Sequence, residues 1–111
     1  DVIDDVDGKL TYTVTEDLKS VLPEMDIVYA TRIQKERFSN PADYARLKDA
    51  YLINKEFLKG AKKEMKLMHP LPRINEISTD VDNTPHALYF KQMRHGVYLR
   101  MAILALVLGT V

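Results

Sequence analysis

The chain has 111 residues, of which 46% are apolar and 29% are charged, and this composition is typical of one folded domain rather than a disordered segment. Sixteen Lys and Arg residues balance sixteen Asp and Glu residues, so we expect no long-range attraction to nucleic acid or to anionic lipid. The absence of Cys excludes a disulfide framework, a thiolate nucleophile and a Cys-ligated metal within these residues, and it favours a cytoplasmic location. The longest apolar run falls short of the roughly 20 residues that span a bilayer, and we find no signal-peptide pattern, so no membrane association is expected.

The first half of the chain alternates short apolar runs with helix-like stretches. Residues 10–14 and 26–30 are rich in β-branched and aromatic side chains and are predicted to be strands. Thr15 can cap a helix that extends to residue 22, directly before a proline. Asn40, with a proline after it at the first helical position, predicts a second helix over residues 42–49.

The second half of the chain continues this alternation with two strands and three helices. In chain order the predicted elements are a strand at 50–53, a helix capped by Asn54 and ending near 60–63, a strand at 66–69, a helical segment that starts with Thr84 and Pro85 and runs to 93, and a helix after Gly96 that ends at Gly109. Strands alternating with helices predict an α/β fold, a three-layer α/β/α arrangement with a mostly parallel sheet.

Both ends of the predicted domain look incomplete. Val2, Ile3 and Val6 have helical spacing without a cap before them, so we expect the domain to be incomplete at its N-terminal side. Residues 97–108 are apolar on every side of a helix, with Arg100 as the single charge, and such a helix is expected to be buried all round. We therefore expect a missing domain or subunit to cover it, because its length and Arg100 argue against a membrane anchor.

Two predicted strands end in residues suited to ligand binding, at the sheet edge where α/β folds place their sites. The strand at 26–30 leads into TRIQKER at residues 31–37, which holds three cations, an amide and a carboxylate. The strand at 66–69 leads into Pro70-Leu71-Pro72-Arg73, where two prolines remove backbone donors and leave carbonyl oxygens to accept hydrogen bonds. Because a guanidinium binds a carboxylate and carbonyl oxygens bind NH2 or NH3+ groups, the two loops predict a site for an amino acid or an amide.

Three segments of the chain carry a resemblance to a known family. TRIQKER at 31–37, HPLPRINEISTDVDNTPHALYF at 69–90 and GVYLRMA at 96–102 resemble the C-terminal part of the aspartate carbamoyltransferase catalytic chain. The resemblance covers nearly the whole sequence and is weakest over residues 1–21. The related ornithine enzymes carry a Cys in the loop where this chain has HPLPR, so the aspartate enzymes are favoured over them and over a relative that acts on another amino acid.

The resemblance implies a transferase of pyrimidine biosynthesis. In that reaction the amine of L-aspartate attacks carbamoyl phosphate, giving N-carbamoyl-L-aspartate and phosphate without a cofactor, in a cytoplasmic enzyme that is a homotrimer. The family's Ser-Thr-Arg-Thr phosphate loop does not occur here, so residues 1–111 are expected to form part of the aspartate-binding domain, with the helix at 96–109 packed against the missing carbamoyl-phosphate domain. The alternative is a non-catalytic fragment or interaction domain, inactive as an isolated chain.

Four residues of the two loops are expected to bind substrate. The resemblance implies that Arg32 holds a carboxylate of aspartate and that Gln34 assists it. The carbonyl oxygens of Pro70 and Leu71 are expected to bind the NH2 of the carbamoyl group. No residue of the chain is expected to act as a general acid, a general base or a nucleophile. Without the resemblance, a solvated loop with surface ion pairs and a rigid proline turn would be adequate interpretations of the two segments.

Other residues of the same loops are expected to support the site. Glu36 would pair with Arg32 and orient it. Lys35 and Arg37 would belong to a mobile loop that closes over the substrates. The peptide bond between Leu71 and Pro72 is expected to be cis, which would fix the direction of the neighbouring carbonyl oxygens.

The three histidines do not form a metal-binding pattern. His69, His86 and His95 are far apart, and no two of them have the i, i+4 spacing or the accompanying carboxylate of a metal site, so we expect no metal. We interpret His69 as a structural residue at the end of a strand, and the other two as helix or surface positions.

Overall fold

The computed structural model describes residues 8, 10–34, 38–42, 44 and 51–110. Within them the chain forms three α-helices, two strands that pair with each other, and two short 3-10 helices. In chain order these are α1 (Leu18–Val21), a 3-10 helix (Leu22–Glu24), β1 (Ile27–Tyr29), α2 (Lys55–Leu58), β2 (Lys66–Met68), a 3-10 helix (Thr79–Val81) and α3 (Tyr89–Val107).

The two strands are parallel neighbours, and β2 lies inside the sheet. Val28 of β1 is opposite Leu67 of β2. On its other side Leu67 bridges Ala87 in parallel, and its carbonyl accepts a hydrogen bond from the Leu88 N–H at 2.9 Å. Since both sides of β2 are paired and Leu67 is completely buried between the half-buried Lys66 and Met68, the short run at 66–69 contains an internal parallel strand, as predicted. The parallel pairing and the surrounding helices confirm the predicted α/β class.

The core lies between the sheet and the segments that follow each strand. Leu67 and Val81 are completely buried, and Ile53 joins the same cluster through a parallel bridge to Ile77. The hydrophobic residues buried in this core are Leu22, Val28, Ala30, Ile53, Leu58, Met65, Leu67, Ile77, Val81 and Tyr89. The predicted strand at 50–53 is therefore reduced to the single bridge at Ile53, within the residues that the structure describes.

The predicted strand at 10–14 is wrong. This stretch is irregular, and Leu10 and Val14 are 66% and 73% exposed. Its alternating pattern fits a half-buried strand, but a strand also needs a neighbour to pair with, and none of the described segments pairs with it. The helical spacing of Val2, Ile3 and Val6 lies outside the described residues.

Helix starts were predicted correctly where an Asn caps the helix. The Asn54 side chain accepts a hydrogen bond from the Phe57 N–H at 2.8 Å and starts α2. Asn40 likewise accepts from the Ala42 N–H at 3.0 Å, although most of the helix predicted after it lies outside the described residues. For α1 the cap is Asp17 rather than Thr15, because the Asp17 carboxylate accepts from two backbone N–H groups of the first turn.

The C-terminal helix differs from the prediction at its start and agrees with it at its end. Gly96 lies inside α3 rather than before it, since one glycine costs a helix only about 1 kcal/mol. Thr84 closes the preceding turn by donating to the Val81 carbonyl, so the helix starts at Tyr89 instead. Gly109 has a φ of 65° and ends the helix as predicted, while the Thr110 N–H donates to the Ala105 carbonyl.

The second half of α3 is apolar and exposed. Leu99, Leu106 and Val107 are 63%, 69% and 78% exposed, and apart from Arg100 the other residues of 97–108 are apolar as well. The described part of the chain therefore leaves its last helix uncovered, and the domain or subunit expected to cover it stays a prediction. Among them, no helix combines the length and the apolarity needed to cross a bilayer.

Candidate functional site

The parallel pairing of β1 and β2 brings the two predicted loops to one edge of the sheet. Beyond the last strand pair, the Ala30 N–H donates to the Met68 carbonyl at 2.9 Å, so the two chains leave the sheet side by side. The loop at 31–34 and the loop at 69–72 therefore start within one strand spacing of each other, at the edge where α/β sheets bind ligands.

The two loops line one cleft of about 770 Å³. This volume falls within the range of about 300–1,000 Å³ that is common for small-molecule sites. The residues that line the cleft are Thr31, Arg32, Gln34, Phe38, His69, Pro70, Leu71 and Pro72. The structure thus brings together the four residues predicted to bind substrate, whereas Lys35, Glu36 and Arg37 lie outside the described residues.

The proline loop has an unusual backbone. The Leu71–Pro72 peptide is cis, as expected, and Leu71 has a φ of 48°, in the left-handed region that residues other than glycine rarely adopt. Neither proline has an N–H, so Leu71 carries the one amide donor of residues 70–72. The Leu71 N–H donates to Nδ1 of His69 at 2.8 Å.

His69 is completely buried and its two ring nitrogens have different roles. Because a backbone N–H can only donate, Nδ1 of His69 must accept from Leu71, and Nε2 therefore carries the proton. Nε2 lies 2.7 Å from Oε1 of Glu76, to which it donates. His69 is thus held in one neutral form by partners on both sides of the ring.

Glu76 is also buried and anchors the far side of the loop. Its Oε2 accepts from the backbone N–H groups of Ile74 and Asn75 at 3.2 and 3.1 Å, while Oε1 faces His69. Burial raises the pKa of the Glu76 carboxyl, but the hydrogen bonds from backbone N–H groups and from His69 outweigh burial, and the pKa lies below its ordinary value. Glu76 is therefore an ionised acceptor at neutral pH.

The backbone of His69 connects the loop to α3 and to β1. The His69 N–H donates to Oε1 of Gln92 at 3.1 Å, and Nε2 of Gln92 donates to the Tyr29 hydroxyl at 2.9 Å. On the other side of the cleft, the Tyr51 hydroxyl donates to the Thr31 carbonyl. Burial, together with the charge of Glu76, raises the pKa of Tyr51, so this hydroxyl stays a donor.

Arg73 ends the proline loop in a second polar cluster. Its guanidinium forms two parallel hydrogen bonds with the Asp82 carboxylate, with 2.7 Å between Nη2 and Oδ2, and a third to the Tyr89 hydroxyl at 3.1 Å. The Asp82 hydrogen bond raises the pKa of Arg73, and the Arg73 hydrogen bond holds the pKa of Asp82 below its ordinary value. Burial, with the Asp82 contact, raises the pKa of Tyr89 to about 12.

The prediction from sequence missed His69, Glu76 and Gln92 as parts of the site. His69 was interpreted as a structural strand end, whereas the residue borders the cleft and its buried ring holds the proline loop. The sequence does contain a signal for His69: it is a polar residue at the end of a largely buried strand, and a buried polar side chain needs hydrogen-bond partners. Among the described residues, no group of three His, Asp or Glu side chains is placed to hold a metal ion.

Comparisons with known proteins give a consistent answer. The family model described as aspartate/ornithine carbamoyltransferase, Asp/Orn binding domain, matches residues 3–107. The chain is 51% identical over 104 residues to the aspartate carbamoyltransferase catalytic subunit of Lachnoclostridium phytofermentans, covering 94% of this chain and 34% of that protein. It is 50% identical over 109 residues to the Vibrio vulnificus catalytic subunit, covering 97% of this chain and 35% of that protein. The chain thus spans about a third of the length of the curated relatives it matches.

Solved structures are similar as well. The Trypanosoma cruzi aspartate transcarbamoylase in complex with carbamoyl phosphate and aspartate has a TM-score of 0.73 and 44% identity, covering 81% of this chain and 30% of that one. The same enzyme in complex with carbamoyl aspartate and phosphate has a TM-score of 0.72 and 46% identity, covering 81% and 29%.

Proposed function

Because the chain belongs to the aspartate/ornithine carbamoyltransferase family, in its aspartate/ornithine-binding domain, we propose that it supplies the aspartate half of an aspartate carbamoyltransferase active site. The observation that carries the proposal is the single cleft lined by both predicted loops. The complexes of the Trypanosoma cruzi enzyme with aspartate and carbamoyl phosphate support the choice of substrates.

The cleft offers complementary groups for the two substrates. Arg32 binds a carboxylate of L-aspartate through parallel hydrogen bonds, and Gln34 adds an amide donor beside it. The carbonyl oxygens of Pro70 and Leu71 accept hydrogen bonds from the NH2 of carbamoyl phosphate. The two substrates are then held next to each other in the cleft, at the carboxyl ends of the strands.

The reaction needs orientation more than acid–base chemistry from this chain. The aspartate amine forms a C–N bond to the carbamoyl carbon, and the C–O bond to phosphate breaks. The proton that the amine loses leaves with the phosphate, so N-carbamoyl-L-aspartate and hydrogen phosphate are released. Holding both substrates in one cleft lowers the barrier mainly through proximity and electrostatic stabilisation. Glu36, Lys35 and Arg37 are proposed to orient Arg32 and to close over the substrates.

We propose that residues 1–111 form part of an aspartate-binding domain and that residues 96–109 of the last helix pack against a carbamoyl-phosphate domain. Two observations support this assignment: the apolar half of α3 is exposed, and the chain spans about a third of its relatives' length. The parent enzyme is proposed to be a cytoplasmic homotrimer that acts in pyrimidine biosynthesis, and the isolated chain is expected to be inactive.

The test of the proposed function is product formation. The full-length enzyme that carries this chain is expected to convert L-aspartate and carbamoyl phosphate to N-carbamoyl-L-aspartate, measured by colorimetric ureido detection. The 111-residue chain alone is expected to form none, because it lacks the Ser-Thr-Arg-Thr phosphate loop. L-ornithine is the matched control substrate. Turnover of ornithine in place of aspartate, or no turnover of either, would contradict the proposal.

The proposed packing of α3 predicts a surface property of the isolated chain. With the apolar half of the helix uncovered, the chain is expected to bind a hydrophobic dye such as anilinonaphthalene sulfonate or to self-associate. Replacing Leu99 and Leu106 with Gln should reduce both signals, whereas replacing the exposed Lys55 of α2 and Lys59 directly after this helix with Gln should change neither. A wild-type chain that is monomeric and silent toward the dye would contradict the packing.

A further inference from the structure

The proline loop of the cleft is held by one side chain. Of residues 70–72, only Leu71 has a backbone N–H, and that N–H donates to Nδ1 of His69 at 2.8 Å. The Leu71 N–H is therefore the one backbone donor of residues 70–72 through which a hydrogen bond can orient the loop. His69 accepts this hydrogen bond.

From this geometry, and resting on the proposed function, we infer that His69 is a positioning residue that aims the Pro70 and Leu71 carbonyl oxygens at the NH2 of the carbamoyl group. The N–H of Leu71 and the C=O of Pro70 belong to one planar peptide unit, in which they point in opposite directions when the bond is trans. The cis bond of the loop is the next one, between Leu71 and Pro72. Fixing the Leu71 N–H on His69 therefore fixes the direction of the Pro70 carbonyl.

The ring of His69 is itself held in place. It is completely buried, and its Nε2–H donates to Glu76 at 2.7 Å. A ring flip would remove both hydrogen bonds and leave two buried polar groups, the Leu71 N–H and Oε1 of Glu76, without the imidazole, which is unfavourable. The acceptor on Nδ1 consequently faces the loop in one defined direction.

The backbone of Leu71 needs such an anchor. Its φ of 48° lies in the left-handed region, which is unfavourable for a residue with a Cβ and persists only where the surroundings enforce it. The hydrogen bond that the Leu71 N–H donates to His69 is one contact that enforces this conformation, and the positions of both carbonyls depend on the backbone of Leu71. His69 thus acts on the substrate through the loop and does not need to touch it.

Two substitutions separate the two nitrogens of the ring. In His69→Asn the side-chain oxygen occupies roughly the place of Nδ1, so the acceptor for the Leu71 N–H is kept. In His69→Gln the amide reaches toward Glu76 in place of Nε2, and the acceptor for Leu71 is lost. His86→Gln is the matched control, because the His86 ring hydrogen-bonds to the Met65 carbonyl and does not line the cleft.

The readout compares two ligands of the full-length enzyme: carbamoyl phosphate, and acetyl phosphate, which has a methyl group in place of the NH2. We expect His69→Gln to weaken carbamoyl phosphate binding by about tenfold and to weaken acetyl phosphate by less than about threefold, since only the former donates to the carbonyls. His69→Asn and His86→Gln should keep the wild-type ratio of the two dissociation constants.

A purely structural role for His69 predicts a different pattern. If His69→Gln weakens both ligands equally or weakens neither, so that the ratio of the two dissociation constants stays at the wild-type value, the inference is overturned. If His69→Gln does not fold, as judged by its thermal unfolding, His69→Asn decides: the wild-type ratio supports the inference, and a lost ratio overturns it. A wild-type enzyme that forms no N-carbamoyl-L-aspartate would instead refute the proposed function, so the two failures are distinguishable.

Discussion

Replacing Arg32 with Ala in the full-length enzyme is expected to raise the Michaelis constant for L-aspartate by roughly ten- to a hundredfold. A charge-assisted hydrogen bond to a carboxylate contributes about 1.5–3 kcal/mol, and each 1.4 kcal/mol corresponds to a factor of ten. Arg32 lies three residues beyond the end of β1 and lines the cleft with Gln34 and the proline loop. Steady-state kinetics with aspartate varied at saturating carbamoyl phosphate give the measurement.

Two controls make the Arg32 result specific. Arg32→Lys keeps the positive charge but loses the two parallel hydrogen bonds, so its Michaelis constant should lie between those of the wild type and Arg32→Ala. Arg94→Ala removes an exposed guanidinium from α3, outside the cleft, and should leave the aspartate kinetics unchanged. Unchanged aspartate kinetics in Arg32→Ala would refute the role of Arg32, whatever the two controls show.

The two strands that place a side chain in the core were predictable from the sequence, whereas the exposed stretch at 10–14 was mispredicted. Residues 26–30 and 66–69 contain the two paired strands because their apolar side chains have a core to enter. Residues 10–14 have the same kind of pattern, yet none of the described segments pairs with them, and no local pattern reveals whether a neighbouring strand exists. Gly96 led to a wrong helix start, because a helix of 19 residues tolerates one glycine in its interior.

The position of the cleft was predictable from the sequence, but the contact between His69 and Glu76 was not. Polar and proline-rich residues directly after two parallel strands must meet at one sheet edge, so Arg32, Gln34 and the proline loop could be brought together from the sequence. The contact between His69 and Glu76 depends on how the six intervening residues turn back, and that path is set by the tertiary structure. The role of His69 therefore became visible only once the two side chains were seen together.

The cluster of Arg73, Asp82 and Tyr89 is expected to be the most sensitive point for stability in the described part of the domain. Its charged side chains are only 14% and 24% exposed, and Asp82→Asn leaves the Arg73 guanidinium without its counter-charge. Breaking a buried pair costs about 3–5 kcal/mol, and with the remaining exposure we expect a loss of roughly 2–3 kcal/mol in the free energy of unfolding. Urea unfolding of the 111-residue chain at pH 7 gives the measurement.

The matched control for this substitution lies in an exposed ion pair. Asp26 contacts Lys62 at 2.7 Å, with side chains 86% and 44% exposed. The identical change Asp26→Asn should therefore lower the free energy of unfolding by less than about 1 kcal/mol, because water screens the pair. Equal losses in the two variants would show that burial does not distinguish these ion pairs.

The same cluster predicts how the difference between wild type and Asp82→Asn depends on pH. The Arg73 hydrogen bond holds the pKa of Asp82 below its ordinary value in the folded chain, so the carboxylate stabilises the fold fully at pH values above about 4, the ordinary carboxyl pKa. As the pH falls below that value, the unfolded chain takes up a proton before the folded one, and the stabilisation is lost. The gap between wild type and Asp82→Asn should therefore be constant from pH 7 to about 5 and shrink below about 4, while Tyr89, with a pKa of about 12, stays protonated throughout. A gap that stays constant down to pH 2.5, or one that closes between pH 7 and 5, would show that a group other than Asp82 accounts for the loss.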